Sequence, residues 1–360
     1  MNIPDSKIKI IAEAGVNHNG NKDLALNLID VASDAGADII KFQSFSAERL
    51  VSLGAPKADY QIINTNNNES QFEMLKKLEL SKKDYICLKS RCEEKGIEFL
   101  STPFDEKNLE FLLDLGIKRI KIPSGEITNG PLILAAARSG LPLIISTGMS
   151  DIEEIRLALA VVVFGIAEPL KSKPNKNKLN RIIKSKEFKK VIKDNVILLH
   201  CTTEYPAPYS SVNLKAMNVL RDYFGTKVGY SDHTEGAVIS IAAASLGAAM
   251  IEKHITLNRN FVGPDHSASI EPSELIELIK NIRIIEQSIG NGEKILQKCE
   301  LKNKIIARKS LFAHKDIEKG ELFSQENIIA KRPGNGVNPM DYWDLIGTKT
   351  SKDYSLGDLV

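Results

Sequence analysis

Eight short apolar runs alternate with amphipathic helical stretches, and this alternation constrains the fold more than any other feature of the chain. The runs occupy residues 8–12, 38–42, 97–100, 119–122, 143–146, 196–200, 227–230 and 250–255. Strands that alternate with helices predict a parallel α/β architecture, and eight of them favour a closed (β/α)8 barrel, the TIM barrel. A doubly wound open sheet is the alternative. It is disfavoured because AEAGVNHNG, after the first run, does not fit the GxGxxG pattern of that fold.

The pattern changes after Gly290, where the alternation of strands and helices stops. Residues 286–304 read as a connecting helix and linker, and residues 305–360 contain short apolar runs with tight turns marked by Pro and Gly. We therefore expect a barrel domain over residues 1–285, followed by the linker and a small β-rich domain over residues 305–360. A domain of that length lies near the lower size limit for independent stability.

Two segments interrupt the regular alternation. Residues 51–78, rich in Asn, Gln and Ser, form a long insertion after the second strand and are expected to make a lid over the barrel mouth. Residues 170–193 are dense in lysine. A basic binding patch is one interpretation of these lysines, but a solvated helical excursion is the favoured one.

The composition is that of a globular protein, with 42% hydrophobic and 26% charged residues among 360. A net charge of +2 gives no support for a nucleic-acid or membrane surface. The four cysteines show no CxxC spacing, and the charged start of the chain leads directly into the first strand without a signal-peptide pattern. These features predict a cytoplasmic protein without nucleic-acid or membrane partners.

Polar residues follow nearly every predicted strand, at the end where a parallel barrel forms its active site. Lys41 ends the second strand and Lys121 the fourth, and two ammonium groups at one mouth favour an anionic ligand. Hydroxyl groups of Thr102, Ser124 and Ser231 add donors, which together predict a pocket for phosphate, or for phosphate plus carboxylate. The alternative is that each lysine pairs with a local Glu or Asp.

Residues 229–267 predict a strand–helix–strand unit with a histidine at the outgoing end of each strand, His233 and His254. Neighbouring strand ends place two imidazoles within reach of one metal ion, and the remaining ligand positions would go to water and substrate oxygens. Such a site suits a Lewis acid that polarises a carbonyl group. Glu252 shares the strand face of His254 and is a further candidate for the metal environment.

A series of ordered motifs resembles the bacterial nonulosonic-acid synthases, the family of N-acetylneuraminate synthase and its legionaminate and pseudaminate relatives. The motifs are IAEAGVNHNG at 11–20, KFQ at 41–43, STPFD at 101–105, KIPSGE at 121–126, STGM at 146–149, HCTTEYPAP at 200–208, GYSDHT at 229–234, EKHIT at 252–256, GPDHSASIEP at 263–272, ARKS at 307–310 and KRPGNG at 331–336. The resemblance therefore extends over nearly the whole chain.

The resemblance implies a (β/α)8 barrel joined to a small antifreeze-like (SAF) domain in a domain-swapped homodimer. It implies condensation of phosphoenolpyruvate with an N-acetylated hexosamine, first of all N-acetylmannosamine, with water as co-reactant and phosphate as a product. The alternative substrate is 2,4-diacetamido-2,4,6-trideoxymannose, which would make the chain a legionaminate synthase. The chemical step would be attack of phosphoenolpyruvate C3 on the sugar aldehyde, followed by addition of water at C2 and loss of phosphate.

The resemblance also assigns residues to roles. His233 and His254 would hold a divalent metal, usually manganese, with magnesium or cobalt as other choices. Positions that match phosphoenolpyruvate binding are Lys41, Thr102, Lys121, Ser124, Thr203 and Ser231, and Thr203 stands where some sialic acid synthases carry Asn. Positions that match sugar binding are Glu13, Gln43, Tyr205, Asp265 and Arg332, the last from the partner subunit's small domain. Catalytic roles would belong to Glu13, Glu126, His233 and His254, with Glu126 near the attacking water.

Two rival functions are less consistent with the residues. Another metal-assisted barrel aldolase, acting on a phosphorylated sugar, would need a second anion site, and no further cationic cluster follows the strands. A carbohydrate-binding or ice-binding module is suggested only by the name of the small domain, and such a module would not need polar residues after almost every strand.

Overall fold

The chain forms two compact units, which are described separately. In the computed structural model, which describes residues 7–65 and 69–360, one unit spans Met1–Asn291 and the other Gly292–Val360. Residues 1–6, which belong to the start of the chain where no signal peptide is expected, lie outside the described residues. So do residues 66–68 of the predicted insertion.

A parallel sheet of eight strands forms the centre of the first unit. The strands are β1 (Lys9–Gly15), β2 (Ile39–Ser44), β3 (Glu98–Pro103), β4 (Ile120–Ile122), β5 (Leu143–Ser146), β6 (Val196–His200), β7 (Lys227–Asp232) and β8 (Met250–His254). Their order is β3-β2-β1-β8-β7-β6-β5-β4, with every ladder parallel. Because β3 and β4 also lie beside each other, the sheet is a nearly closed barrel. The (β/α)8 prediction is confirmed.

Helices surround the barrel and connect successive strands. They are α1 (Lys22–Asp34), α2 (Ala47–Leu50), α3 (Asp59–Thr65), α4 (Gln71–Leu78), α5 (Lys82–Lys95), α6 (Glu106–Asp114), α7 (Gly130–Arg138), α8 (Ile152–Ala167), α9 (Lys176–Ile183), α10 (Glu187–Asn195), α11 (Ala216–Phe224), α12 (Val238–Ser245) and α13 (Pro272–Ser288). The insertion after β2 thus contains α2, α3 and α4. The lysine-rich excursion forms α9 and α10, and their lysines are exposed except for the half-buried Lys178, in line with the solvated-helix interpretation.

Side chains alternate along each strand, so that every second residue points into the barrel. These inward residues form an apolar layer and, above it, a polar layer. Its apolar floor consists of one inward side chain from each of six strands: Ile11, Ile39, Leu100, Ile144, Leu199 and Met250. Residues two positions later point to the same side, one layer nearer the carboxyl end of each strand. Glu13, Lys41, Thr102 and Glu252 therefore lie directly above this floor, whereas residues of the other parity pack against the helices.

Gly229 of β7 is required by close packing inside the barrel. A Cβ at this position would lie 2.4 Å from the backbone oxygen of Met250 and 2.7 Å from Cδ2 of Leu199. Because backbone atoms of a closed barrel cannot move aside cheaply, we expect Gly229→Ala to lower the free energy of unfolding by roughly 1–3 kcal/mol. Urea denaturation measures this loss. Gly54→Ala is the matched control, since a Cβ there has no atom within 4 Å. Equal unfolding midpoints for the two variants would contradict the prediction.

The second unit is small and has its own core. Strands β9 (Ser310–Ala313) and β10 (Ile328–Lys331) pair antiparallel, and the helices α14 (Leu301–Ala307) and α15 (Tyr342–Leu345) accompany them. Its buried apolar residues are Leu311, Ala313, Ile317, Phe323 and Ile328. The predicted linker over residues 286–304 contains the end of α13, a 3-10 turn at Lys298–Glu300 and the start of α14.

All four cysteines are free thiols. Among the described residues, no helix has the length and apolar character needed to cross a membrane.

Candidate active site

The ammonium groups of Lys41 and Lys121 meet at the carboxyl end of the barrel, where each contacts a buried carboxylate. Lys41 Nζ lies 2.9 Å from Glu13 Oε1 and 3.5 Å from Glu252 Oε2. Lys121 Nζ donates to both carboxylate oxygens of Glu252, at 2.7 and 2.8 Å. The convergence expected from the sequence is therefore present. The lysines also pair with carboxylates, as in the alternative interpretation, so an anionic ligand would join a charge network that is already organised.

Burial and mutual charge set the protonation of these groups. Burial alone would raise the pKa of Glu252, but Lys121 and Lys41 together lower it well below its usual range. Glu13 behaves differently, because burial raises its pKa to about 7 against the opposing effect of Lys41. Burial lowers the pKa of the Lys121 ammonium, while Glu252 opposes that change. A bound anion would favour the charged form of the Lys121 ammonium, which burial disfavours.

Three polar side chains on neighbouring strands complete this network, as the sequence predicted. Thr102 Oγ1 accepts from Lys41 Nζ at 3.4 Å. Ser231 Oγ donates to Glu252 Oε1 at 2.8 Å, and Gln43 Nε2 donates to Glu13 Oε1 at 3.4 Å. Adjacent strands hold the partners in register, because Glu13 pairs with Lys41 and Ser231 pairs with Glu252.

Hydroxyl groups from two loops form a cradle around Gly148, which follows β5. The backbone N–H of Gly148 donates to Ser124 Oγ at 3.0 Å, and that oxygen lies 3.2 Å from Cys201 Sγ. Thr203 Oγ1 is buried without a hydrogen-bond partner among the described residues. A Cβ on Gly148 would lie 2.3 Å from Thr203 Oγ1 and 2.8 Å from Ser124 Oγ. Only glycine allows these donors to converge, and such a cradle suits a phosphate group.

The imidazoles of His233 and His254 lie side by side, with ring centroids 5.5 Å apart. Nδ1 of His233 donates to the backbone oxygen of Thr202 at 2.7 Å, which leaves the lone pair on Nε2. Nδ1 of His254 is buried without a hydrogen-bond partner in the described part of the chain. Burial lowers the pKa of His233 to about 4 and that of His254 well below its usual value. Both rings are therefore neutral at pH 7.

The histidine pair fits a divalent metal ion by its donor chemistry. Neutral imidazole is the ligating form, and a buried ring nitrogen without a partner is open to a ligand. Residues 7–65 and 69–360 contain no group of three or more His, Cys, Asp or Glu side chains arranged to hold a metal. A metal would thus rest on two nitrogen ligands, with water and substrate oxygens in the other positions, as the sequence suggested. Glu252, by contrast, is engaged by the lysines.

Tyr205 and Asp265 border the histidine pair. The Tyr205 ring lies 4.2 Å from the His233 ring, and its hydroxyl donates to His233 Nε2 at 3.3 Å. Asp265 Oδ2 lies 3.9 Å from His254 Nδ1, and burial raises the pKa of Asp265 to about 6. A polar ligand bound beside the histidines would contact both residues.

Two further predicted site residues are Glu126, which contacts a neighbour in its own turn, and Arg332, which belongs to the second unit. Glu126 lies in the 3-10 turn Ser124–Glu126, half-buried, and its carboxylate accepts from Asn129 Nδ2 at 2.7 Å. Arg332 belongs to the second unit, where it follows β10 and is exposed. Their predicted roles, near the attacking water and over the sugar of a partner subunit, remain predictions.

Sequence reasoning missed several contributors. Glu252 was considered only for the metal environment, whereas it is the shared partner of both lysines. Gly148 was not singled out, although the glycine of the STGM motif after the fifth strand was its signal; the structure gives the next residue, Met149, a φ of 60°. Tyr60, in the insertion, contacts Tyr205 with tilted rings whose centroids lie 5.0 Å apart, and nothing in its local sequence indicates that contact.

Two family models match the chain, one over most of each unit. Residues 28–294 match the NeuB family model and residues 308–354 match the SAF domain model. An N,N'-diacetyllegionaminic acid synthase from Campylobacter jejuni is 48% identical, covering 98% of this chain and 99% of the relative. A protein of the same name from Legionella pneumophila is 44% identical, covering 97% and 92%. The crystal structure of an N-acetylneuraminic acid synthetase from Leptospira borgpetersenii is 34% identical, with a TM-score of 0.66, covering 84% and 94%.

Proposed function

The chain belongs to the NeuB family, and we propose that it condenses phosphoenolpyruvate, 2,4-diacetamido-2,4,6-trideoxymannose and water into N,N'-diacetyllegionaminate and phosphate. The observation that carries this choice of sugar is the identity of 48% and 44% with two legionaminic acid synthases along nearly the whole chain. Identity with the N-acetylneuraminic acid synthetase is 34%. The legionaminate alternative is therefore favoured over N-acetylmannosamine, which the sequence motifs had placed first.

Phosphoenolpyruvate would bind at the lysine end of the site. Lys41 and Lys121 supply two buried cations for its carboxylate and phosphate, and the cradle of Ser124, Gly148 and Thr203 supplies neutral donors. Thr203 Oγ1, which has no partner in the described residues, is free to donate to a phosphate oxygen. Bound in this way, phosphoenolpyruvate would turn its enol carbon toward the histidine pair.

The open-chain sugar would bind with its aldehyde beside His233 and His254. A divalent ion such as manganese, held by the two imidazoles, would supply Lewis acidity toward the aldehyde oxygen. Glu13 Oε2, buried without a partner among the described residues, is placed to accept from a sugar hydroxyl. Tyr205 and Asp265 would orient the chain of the sugar beyond C1. Attack of phosphoenolpyruvate C3 on the aldehyde carbon then forms the new carbon–carbon bond.

The second half of the reaction requires water and the departure of phosphate. Water adds at C2 of the condensed intermediate, and cleavage of the C2–O bond expels phosphate while the C2 hydroxyl becomes a ketone. Glu126, next to Ser124 in the turn after β4, is the proposed acceptor of the water proton. In a domain-swapped homodimer, the small domain of one subunit would bring Arg332 to the sugar bound by the other.

A direct assay tests the proposed function. We expect phosphate release from phosphoenolpyruvate with the diacetamido sugar, with kcat/KM at least ~10-fold above that for N-acetylmannosamine, because substituent contacts alone discriminate by about this factor. EDTA should abolish release and added manganese should restore it. Each sugar without phosphoenolpyruvate is the blank. A preference for N-acetylmannosamine would overturn the choice of sugar, and no phosphate release with either sugar would overturn the reaction.

A further inference from the structure

The rings of Tyr60, Tyr205 and His233 form a row beside the candidate active site, which we call the aromatic wall. The proposed function gives no role to its outermost residue, Tyr60. Tyr60, on α3 of the insertion, contacts Tyr205 with tilted rings whose centroids lie 5.0 Å apart, and the ring centroid of Tyr205 lies 4.2 Å from that of His233. Three rings thus form a continuous row that leads away from the histidine pair. Tyr60 is half-buried, so one part of its ring remains accessible to a bound molecule.

Contacts made by α3 and α4 of the insertion fix the position of Tyr60. Helix α4 packs through Met74 and Leu78 against Val16 and Phe45, in a small apolar cluster of its own. At the end of α3, Asn64 Nδ2 donates to the backbone oxygen of Pro264 at 2.7 Å, immediately before Asp265. The position of Tyr60 is therefore fixed relative to the loop that carries Asp265, as a binding wall requires.

The chemistry of Tyr60 is that of a neutral aromatic surface with one polar edge. Burial raises the pKa of its phenol further above the usual value, and the charge of Asp265 adds to this effect. The ring thus stays uncharged at any working pH. Aromatic faces pack favourably against methyl groups and C–H faces of sugars, whereas Asp265 offers an acceptor for hydroxyl groups.

We propose that Tyr60 is a specificity-determining residue of the sugar site, whose ring packs against the substituents at C4 to C6 of the open-chain sugar. This inference rests on the proposed function, which places the aldehyde beside His233 and His254. A chain that starts there and passes Tyr205 reaches Tyr60 with its distal carbons. An acetamido methyl group at C4 and a methyl group at C6 match an aromatic wall, whereas the hydroxyl groups of N-acetylmannosamine match it less well.

Kinetics of Tyr60 variants with both sugars test the inference. We expect Tyr60→Ala to raise KM for the diacetamido sugar about 10-fold, to change KM for phosphoenolpyruvate less than about twofold, and to reduce the preference between the two sugars. Tyr60→Phe should retain the wild-type preference because the ring is kept. Ile63→Ala, on the same helix with a 76% exposed side chain, is the matched control.

The outcomes separate this inference from the proposed function. If the wild type is active and Tyr60→Ala behaves like Ile63→Ala, the inference is wrong and the function stands. If Tyr60→Phe loses as much as Tyr60→Ala, the hydroxyl and not the ring face makes the contact, which overturns the inference. If the wild type is inactive with both sugars, the proposed function fails. Sugar binding by saturation-transfer NMR then decides the inference, which fails if Tyr60→Ala binds as the wild type does.

Discussion

Replacing Lys121 with methionine is expected to lower kcat/KM for phosphoenolpyruvate by at least about 10³-fold. The variant loses charge-assisted hydrogen bonds, each contributing about 1.5–3 kcal/mol, and it leaves the carboxylate of Glu252 in the pocket proposed to bind an anion. Lys121 Nζ is the group that contacts both oxygens of this carboxylate. The pocket then changes from attracting phosphoenolpyruvate to repelling it. Steady-state phosphate release and a binding titration with phosphoenolpyruvate measure the two consequences.

The same variant is expected to lose stability, and a double variant separates that loss from catalysis. Removing one partner of a buried ion pair typically costs about 3–5 kcal/mol. The cost should lie at the lower end here, because Lys41 remains 3.5 Å from Glu252. Lys121→Met/Glu252→Gln removes both charges, so most of the stability should return while activity stays lost. Lys118→Met, which removes an exposed lysine before the same strand, is the control for net charge. Wild-type activity in the double variant would show that Lys121 does not bind the anion.

The barrel was predictable because its strands are apolar on both faces. Each predicted run overlaps an observed strand, and the differences lie mainly at the carboxyl ends. β1 continues to Gly15, β3 to Pro103 and β7 to Asp232, beyond the apolar residues that define the pattern. These extensions consist of polar residues such as Glu13 and Ser231, which are buried only because other strand ends surround them. Local pattern contains no information about that tertiary environment.

Strand parity predicted which polar residues share a pocket, but it does not give distances across a barrel. Glu13 and Lys41 are neighbours through strand pairing, so their contact follows from sequence and register. Lys121 and Glu252 lie on β4 and β8, which are not adjacent, and their bidentate contact depends on the diameter of the closed barrel. For that reason the sequence indicated two lysines that need an anion and did not indicate that Glu252 already serves as one.

In the two histidine motifs, neighbouring residues point to opposite faces of the strands. In GYSDHT and EKHIT, Asp232 and Lys253 precede the histidines and point away from the pocket. They form a fully buried ion pair, with Asp232 Oδ2 3.1 Å from Lys253 Nζ. Asp232 also accepts from the backbone N–H of Thr234 at 2.9 Å, which fixes the chain on either side of His233. Within each motif, therefore, one residue stabilises the backbone and the next, a histidine, faces the pocket.

Replacement of His254 with alanine is expected to weaken manganese binding by at least roughly 100-fold, because even second-layer changes around metal sites cost 10–100-fold. His254 faces His233 across 5.5 Å between ring centroids, and its Nδ1 lacks a partner among the described residues, so the variant removes one of two proposed nitrogen ligands. Electron paramagnetic resonance of a manganese titration measures the affinity directly, without dependence on turnover.

The His254→Ala variant also tests whether the metal and phosphoenolpyruvate bind independently of each other. Because the cations proposed to bind phosphoenolpyruvate lie on β2 and β4, His254→Ala should retain phosphoenolpyruvate binding within about threefold while losing turnover. His200→Gln is the control, since Nε2 of His200 is already hydrogen-bonded to the backbone oxygen of Val212 at 2.7 Å. Unchanged manganese affinity in His254→Ala would remove the metal from this pair. If His254→Ala loses phosphoenolpyruvate binding as well as manganese binding, the anion and the metal depend on each other. They would then not be held by separate halves of the barrel mouth.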